Sequence, residues 1–65
     1  MTGVVTEFDD EAGLGTITAD DGADYRFHCT AITDGSRTID VDTKVEFELR
    51  PARHGHYEAG AVTPR

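Results

Sequence analysis

Tryptophan is absent from this chain, cysteine and methionine occur once each, and proline occurs twice. The single thiol, Cys29, excludes an intrachain disulfide and a four-cysteine zinc site. A lone unstapled thiol suits a reducing compartment. No basic segment followed by an apolar run opens the sequence, and no apolar stretch approaches the ~20 residues of a membrane helix. The expectation is a cytoplasmic chain with no membrane contact. Positive charge is also missing where it would matter most for an anionic partner. Residues 1–25 contain no Lys or Arg but seven acids: Glu7, Asp9, Asp10, Glu11, Asp20, Asp21 and Asp24. Residues 26–65 balance six acids with six bases, so the formal net charge of −7 comes from the first part of the chain. Such a field repels phosphate backbones at long range and also favours solubility.

With 65 residues the chain forms at most one domain, spanning 1–65. A chain of this size buries only about 60% of its unfolded surface, which leaves little room for a deep enclosed active site.

Five short strands are predicted. Gly3–Phe8 is the first, with Val4, Val5 and Phe8 as its apolar members. The polar run Asp9 to Gly13 turns into Leu14–Ala19, rich in β-branched Thr16, Ile17 and Thr18. Asp20-Asp21-Gly22 is a hairpin signal of the kind that populates tight primed turns. It leads to Tyr25–Cys29, in which Tyr25, Phe27 and Cys29 alternate with Arg26 and His28. The clearest alternation is Thr43–Leu49, where Val45, Phe47 and Leu49 share one face. Pro51 ends that ladder because it has no backbone donor, and Tyr57–Thr63 is the fifth strand. Its Gly60 marks either a bulge or a close approach of backbones. The long connection 30–42 has Ile32, Ile39 and Val41 as apolar anchors and a short helical turn near Thr30–Ile32.

Five strands with no amphipathic helix to cover a sheet bury their apolar side best by curling into a barrel, which also removes exposed edges. Patterning alone does not select among barrel topologies.

The motifs on the second and third strands do. Ala12-Gly13-Leu14-Gly15-Thr16-Ile17 resembles the Lys-Gly-Phe-Gly-Phe-Ile motif of the bacterial cold-shock proteins. Tyr25-Arg26-Phe27-His28-Cys29, followed by Thr30-Ala31-Ile32, resembles their Val-Phe-Val-His-Phe and Ser-Ala-Ile segment. Gly22, Gly35, Arg37-Thr38-Ile39 and Val45-Glu46-Phe47 continue the match in order, so the resemblance runs from Gly3 to Val62. It implies an all-β, five-stranded antiparallel Greek-key barrel of the OB-fold type, with Val5, Ile17, Phe27, Ile32, Val45, Phe47, Leu49 and Val62 inside. It further implies a non-catalytic domain that binds single-stranded RNA or DNA by stacking bases on outward aromatics.

The departures fall on that binding face. The family's first-strand Lys-Trp-Phe is Thr6-Glu7-Phe8 here, and the two phenylalanines of its first motif are Leu14 and Thr16. Those of the second motif are Arg26 and Cys29, and a loop phenylalanine has become Ser36. Base stacking is worth about 1–3 kcal/mol per base, so weak binding is expected. The residues implied for that site are Phe8, Leu14, Thr16, Arg26, His28 and Arg37, with Phe8, Arg26 and His28 as the residual platform. The alternative is a protein-interaction or regulatory module that has kept the barrel and given up stacking. Alternation puts Cys29 inside while the resemblance puts it on the binding face; a partly buried thiol is expected.

Other chemistry has little support. Cys29 and His28 are adjacent on a strand and so point to opposite faces, which suits no thiolate–imidazole pair. Asp9, Asp10 and Glu11 lie in an exposed turn, which does not suit acid–base work. The glycines open no helix, so no phosphate-loop pattern exists. His54 and His56 are read as solvated loop residues. No metal, other cofactor, small-molecule substrate or catalytic residue is expected.

Overall fold

The computed structural model describes all of residues 1–65. Five strands close into a barrel: β1 (Thr2–Asp9), β2 (Leu14–Ala19), β3 (Asp24–His28), β4 (Lys44–Pro51) and β5 (Tyr57–Pro64). Their order around the ring is β1-β2-β3-β5-β4 and back to β1. This is the expected OB-type Greek-key barrel. Four of the five neighbouring pairs are antiparallel, and β3–β5 is parallel. The parallel seam is a matter of parity, since a ring with an odd number of strands cannot alternate direction all the way round. No helix is long and apolar enough to cross a membrane.

The turns follow from local chemistry. Asp9 Oδ1 accepts from the amides of Glu11 (3.0 Å) and Ala12 (3.2 Å), and Gly13, at φ +67°, completes the β1–β2 reversal. The β2–β3 hairpin is not the two-residue primed turn that Asp-Gly suggests. The Gly22 amide bonds Ala19 O and the Ala19 amide bonds Ala23 O, which leaves Asp20–Gly22 as a three-residue loop. Only Gly22 there has positive φ, whereas a type I′ turn needs two such residues. Between β3 and β4 the chain makes a 3-10 turn, Cys29–Ala31, and sends Ile32 into the core. Ile39 is half-buried against it, but Val41 is half exposed and does not anchor the loop.

The core consists of Val5, Ile17, Ala19, Phe27, Ile32, Val45, Phe47, Ala59 and Val62. Seven of the eight expected interior residues are among them. The exception is Leu49, which is 38% exposed. Its side is the correct one, but β4 has outrun its neighbour at that point. The β1–β4 pairing stops at Thr2↔Glu46, and the Phe47 amide bonds Met1 O, so no β1 residue remains to cover Leu49. Inside, Gly15 makes room for Phe27: a Cβ there would fall 2.5 Å from the Phe27 ring. Two bulges bend the sheet into a ring, one at Thr6 in β1 and one in β5 beside Ala61, whose φ is +49°.

Phe47 lies at the centre of this interior and packs against Tyr25 at 5.8 Å between ring centroids. Phe47→Ala should lower stability by about 3–5 kcal/mol, enough to unfold much of a domain this small. Urea unfolding followed by circular dichroism checks it.

Candidate nucleic-acid interface

Strand pairing sets which side chains share the outward face of β1–β3. Directly opposed residues lie on one side of a sheet, and the register gives three rows across the strands. Val4, Thr18 and Asp24 form one row, Glu7, Thr16 and Arg26 the next, and Asp9, Leu14 and His28 the third. The structure therefore brings Leu14, Thr16, Arg26 and His28 together on one surface, as a two-by-two block flanked by acids. Leu14 is 38% exposed, Thr16 half-buried, and Arg26 and His28 exposed.

Phe8 does not join them. The bulge at Thr6 shifts the alternation, so Phe8 stands opposite Gly15, whose missing side chain would point at Phe27. Phe8 accordingly stacks on Phe27, at 5.9 Å between centroids and 18° between planes, and its half-buried ring closes the barrel rim. Arg37 is also apart, exposed on the β3–β4 connection at φ +59°.

His28 has a second task. Its Nδ1 accepts from the Thr30 amide (3.2 Å) and lies 2.9 Å from the Thr30 hydroxyl, capping the Cys29–Ala31 turn. With Nδ1 an acceptor, the neutral ring carries its proton on Nε2, which is left as a donor. The same turn decides the position of Cys29, which follows the end of β3. Its amide bonds Gly13 O at 2.7 Å, and its half-buried thiol lies 2.9 Å from where a Gly13 Cβ would be. Because Cys29 belongs to the turn and not to β3, it does not point to the face opposite His28 as strand alternation suggested: its Sγ lies 3.8 Å from His28 Nδ1.

Electrostatically the face is acidic. The two ion pairs of the protein, Arg50–Glu48 and Arg65–Glu46, leave Arg26 free of a carboxylate within 4.0 Å. Asp24 is partly engaged, accepting from Thr18 Oγ1 at 2.7 Å, and Thr18 continues to Thr6 at 3.2 Å. Glu7 and Asp9 have no such partners on their rows. No group of three His, Cys, Asp or Glu side chains is placed to hold a metal ion.

The sequence matches the "Cold-shock" DNA-binding domain family over residues 1–65. The chain belongs to that family. It is similar to the Cold shock-like protein CspG of Escherichia coli, 42% identical over 97% of this chain and 93% of that one. Cold shock protein 1 of Lactiplantibacillus plantarum is 38% identical over 92% of each chain. A Cold shock-like protein of Thermotoga maritima is 39% identical over 85% of each. Cold-shock domains are non-catalytic nucleic-acid-binding modules, so the chain is not an enzyme. Two neighbours of the face were not evident from the sequence. Glu58 on β5 is paired with Arg26 in the parallel seam, and Arg50 on β4 is paired with Glu58. The signal that bears on them is Gly60, since its bare backbone is where Arg50 lies.

The β3–β4 connection that carries Arg37 is shaped by Asp34. The Ser36 amide donates to Asp34 Oδ1 at 2.9 Å and, with the Ser36 side chain, holds that carboxyl below its usual pKa. The folded value is depressed, so this stabilisation is complete above the ordinary carboxylate range. It is lost as pH falls through the folded pKa. A carbon-detected NMR titration should show Asp34 titrating below the ordinary aspartate range, with the amide shift of Ser36 following it.

Proposed function

We propose that this cold-shock domain binds single-stranded RNA or DNA weakly through the outward face of β1–β3. The observation that carries the reading is the clustering of Leu14, Thr16, Arg26 and His28 on that face. Arg26 supplies a planar cation with no competing ion pair, His28 supplies a ring and an Nε2 donor, and Leu14 supplies an apolar contact for a base. Phe8 contributes the accessible part of its ring at the rim, and Arg37 contributes charge from the connecting loop. Glu7, Asp9 and Asp24 border the same surface and hold affinity down by opposing the phosphates. The acidic border and exposed Leu14 also favour the second reading, a protein partner docking on this face without nucleic acid.

Arg26→Ala is the sharper probe, because Arg26 is exposed and outside the core, whereas removing Phe8 would also unpack the rim. Arg26→Ala should weaken binding of a short single strand by about 1–3 kcal/mol without changing the circular dichroism spectrum. Glu7→Lys should strengthen binding and steepen its dependence on salt. Both are read by titrating labelled protein with pyrimidine-rich DNA and mixed RNA, following amides 4–8, 14–18 and 26–29. Silence at all three stretches in low salt, up to millimolar strand, rejects nucleic-acid binding in favour of a protein partner.

A further inference from the structure

The parallel seam between β3 and β5 is short. Arg26↔Glu58 is its one paired position within the strands, and the chains meet again only at the isolated bridge Ile32↔Val62. Between these points the 3-10 turn and β5 diverge, leaving an open groove of about 510 Å³ beside His28, Thr30, Arg50, Glu58 and Gly60. The groove continues the site. Register carries the middle row of the face around the barrel, from Glu7 through Thr16 and Arg26 to Glu58 on β5 and Arg50 on β4.

Three features of the groove are built for a flat, hydrogen-bonding ligand. Arg50 is positioned before any ligand arrives. Its side chain lies across Gly60, where a Cβ would fall 3.0 Å from Arg50 Cγ and closer still to Cδ and Nε. Its Nη2 is held 3.4 Å from Glu48 Oε2. A guanidinium laid over bare glycine backbone offers a plane on which a base can stack. Glu58 is exposed and stands between Arg26 and Arg50 in register, yet neither ion pair of the protein includes it. Across the groove, His28 contributes its ring and Nε2.

We propose that this groove is a guanine-selective subsite of the single-strand site, with Glu58 as the specificity-determining residue and Arg50 as the stacking surface. A carboxylate at this point disfavours a phosphate and selects an edge with adjacent N–H donors. Guanine presents two side by side, N1–H and the 2-amino group, and both carboxylate oxygens can accept at once. Thymine and uracil present one N–H between two carbonyls. Adenine and cytosine place a ring-nitrogen acceptor beside the amino group, which repels the second carboxylate oxygen. Guanine therefore satisfies Glu58 without leaving an unpaired acceptor.

The subsite rests on the single-strand reading, and its test separates the two. A thymine hexamer and the same hexamer carrying one guanine are titrated against the wild-type protein by fluorescence anisotropy. The guanine strand should bind about five-fold tighter or more, the least that a good bidentate pair gives in discrimination. Glu58→Gln should erase that preference, since the amide replaces one acceptor with a donor facing the guanine N–H groups. Glu46→Gln, on a carboxylate engaged by Arg65, should preserve it. Amides 58–61 should shift with the guanine strand and less with the thymine strand. Equal affinities for the two hexamers, or a preference that survives Glu58→Gln, overturns the subsite and leaves the single-strand reading standing. Failure of both hexamers to bind removes the reading and the subsite together.

Discussion

A closed ring of five strands must contain a parallel pair, and much of this molecule's candidate binding surface depends on where that pair falls. Here it is β3 against β5, strands far apart in sequence and paired at a single position. Three of the other neighbouring pairs are held by long antiparallel ladders and β1–β4 by a shorter one, and these fix the register of the side chains on them. The seam fixes little. The Cys29–Ala31 turn fits into the gap, and the Thr33 amide reaches Val62 O at 2.9 Å to close the ring beyond it. The result is a barrel that is sealed inside and carries an open groove along this seam outside.

Glycine at a few positions makes that sealed interior possible. Gly15 gives up its own side chain so that Phe27 can fill the middle of the barrel, and Phe27 in turn provides the surface on which Phe8 stacks. One aromatic is thereby drawn from the prospective binding face into the rim. The face that remains depends on polar and planar groups, Arg26 and His28, within an acidic border. Its chemistry differs from a row of aromatic platforms. Stacking on aromatics is tolerant of sequence. Hydrogen-bonding groups at fixed positions discriminate among base edges, at the expense of affinity. The proposed selectivity rests on that trade: few stacking rings, with Arg26 and Glu58 both outside the ion pairs of the protein.

Much of the architecture was legible because two signals are local. Period-two alternation identified Val45 and Phe47 as interior without any knowledge of the partner strands. The glycines at 13 and 22 marked chain reversals, and each adopts positive φ. Leu49 shows the limit of alternation. It gives the side of a strand but not how far the neighbouring strand extends to cover it. The hairpin at Asp20–Gly22 shows the limit of turn chemistry, since Asp-Gly serves a three-residue loop as well as a primed turn.

Residue types and spacing suffice for an all-β chain with a small apolar interior and an acidic first part, and the resemblance to the cold-shock motifs adds the shortage of outward aromatics. Those properties can be read one strand at a time. Tertiary structure alone decided the direction of Phe8, because a single bulged residue at Thr6 reverses the alternation beyond it. It alone set Glu58 between Arg26 and Arg50, since strands separated by thirty residues acquire neighbours only when the ring closes. It also placed Arg50 over Gly60, where the absence of a side chain matters only once another strand lies beside it. Each of these decisions is a relation between strands, and local patterning carries information about one strand at a time.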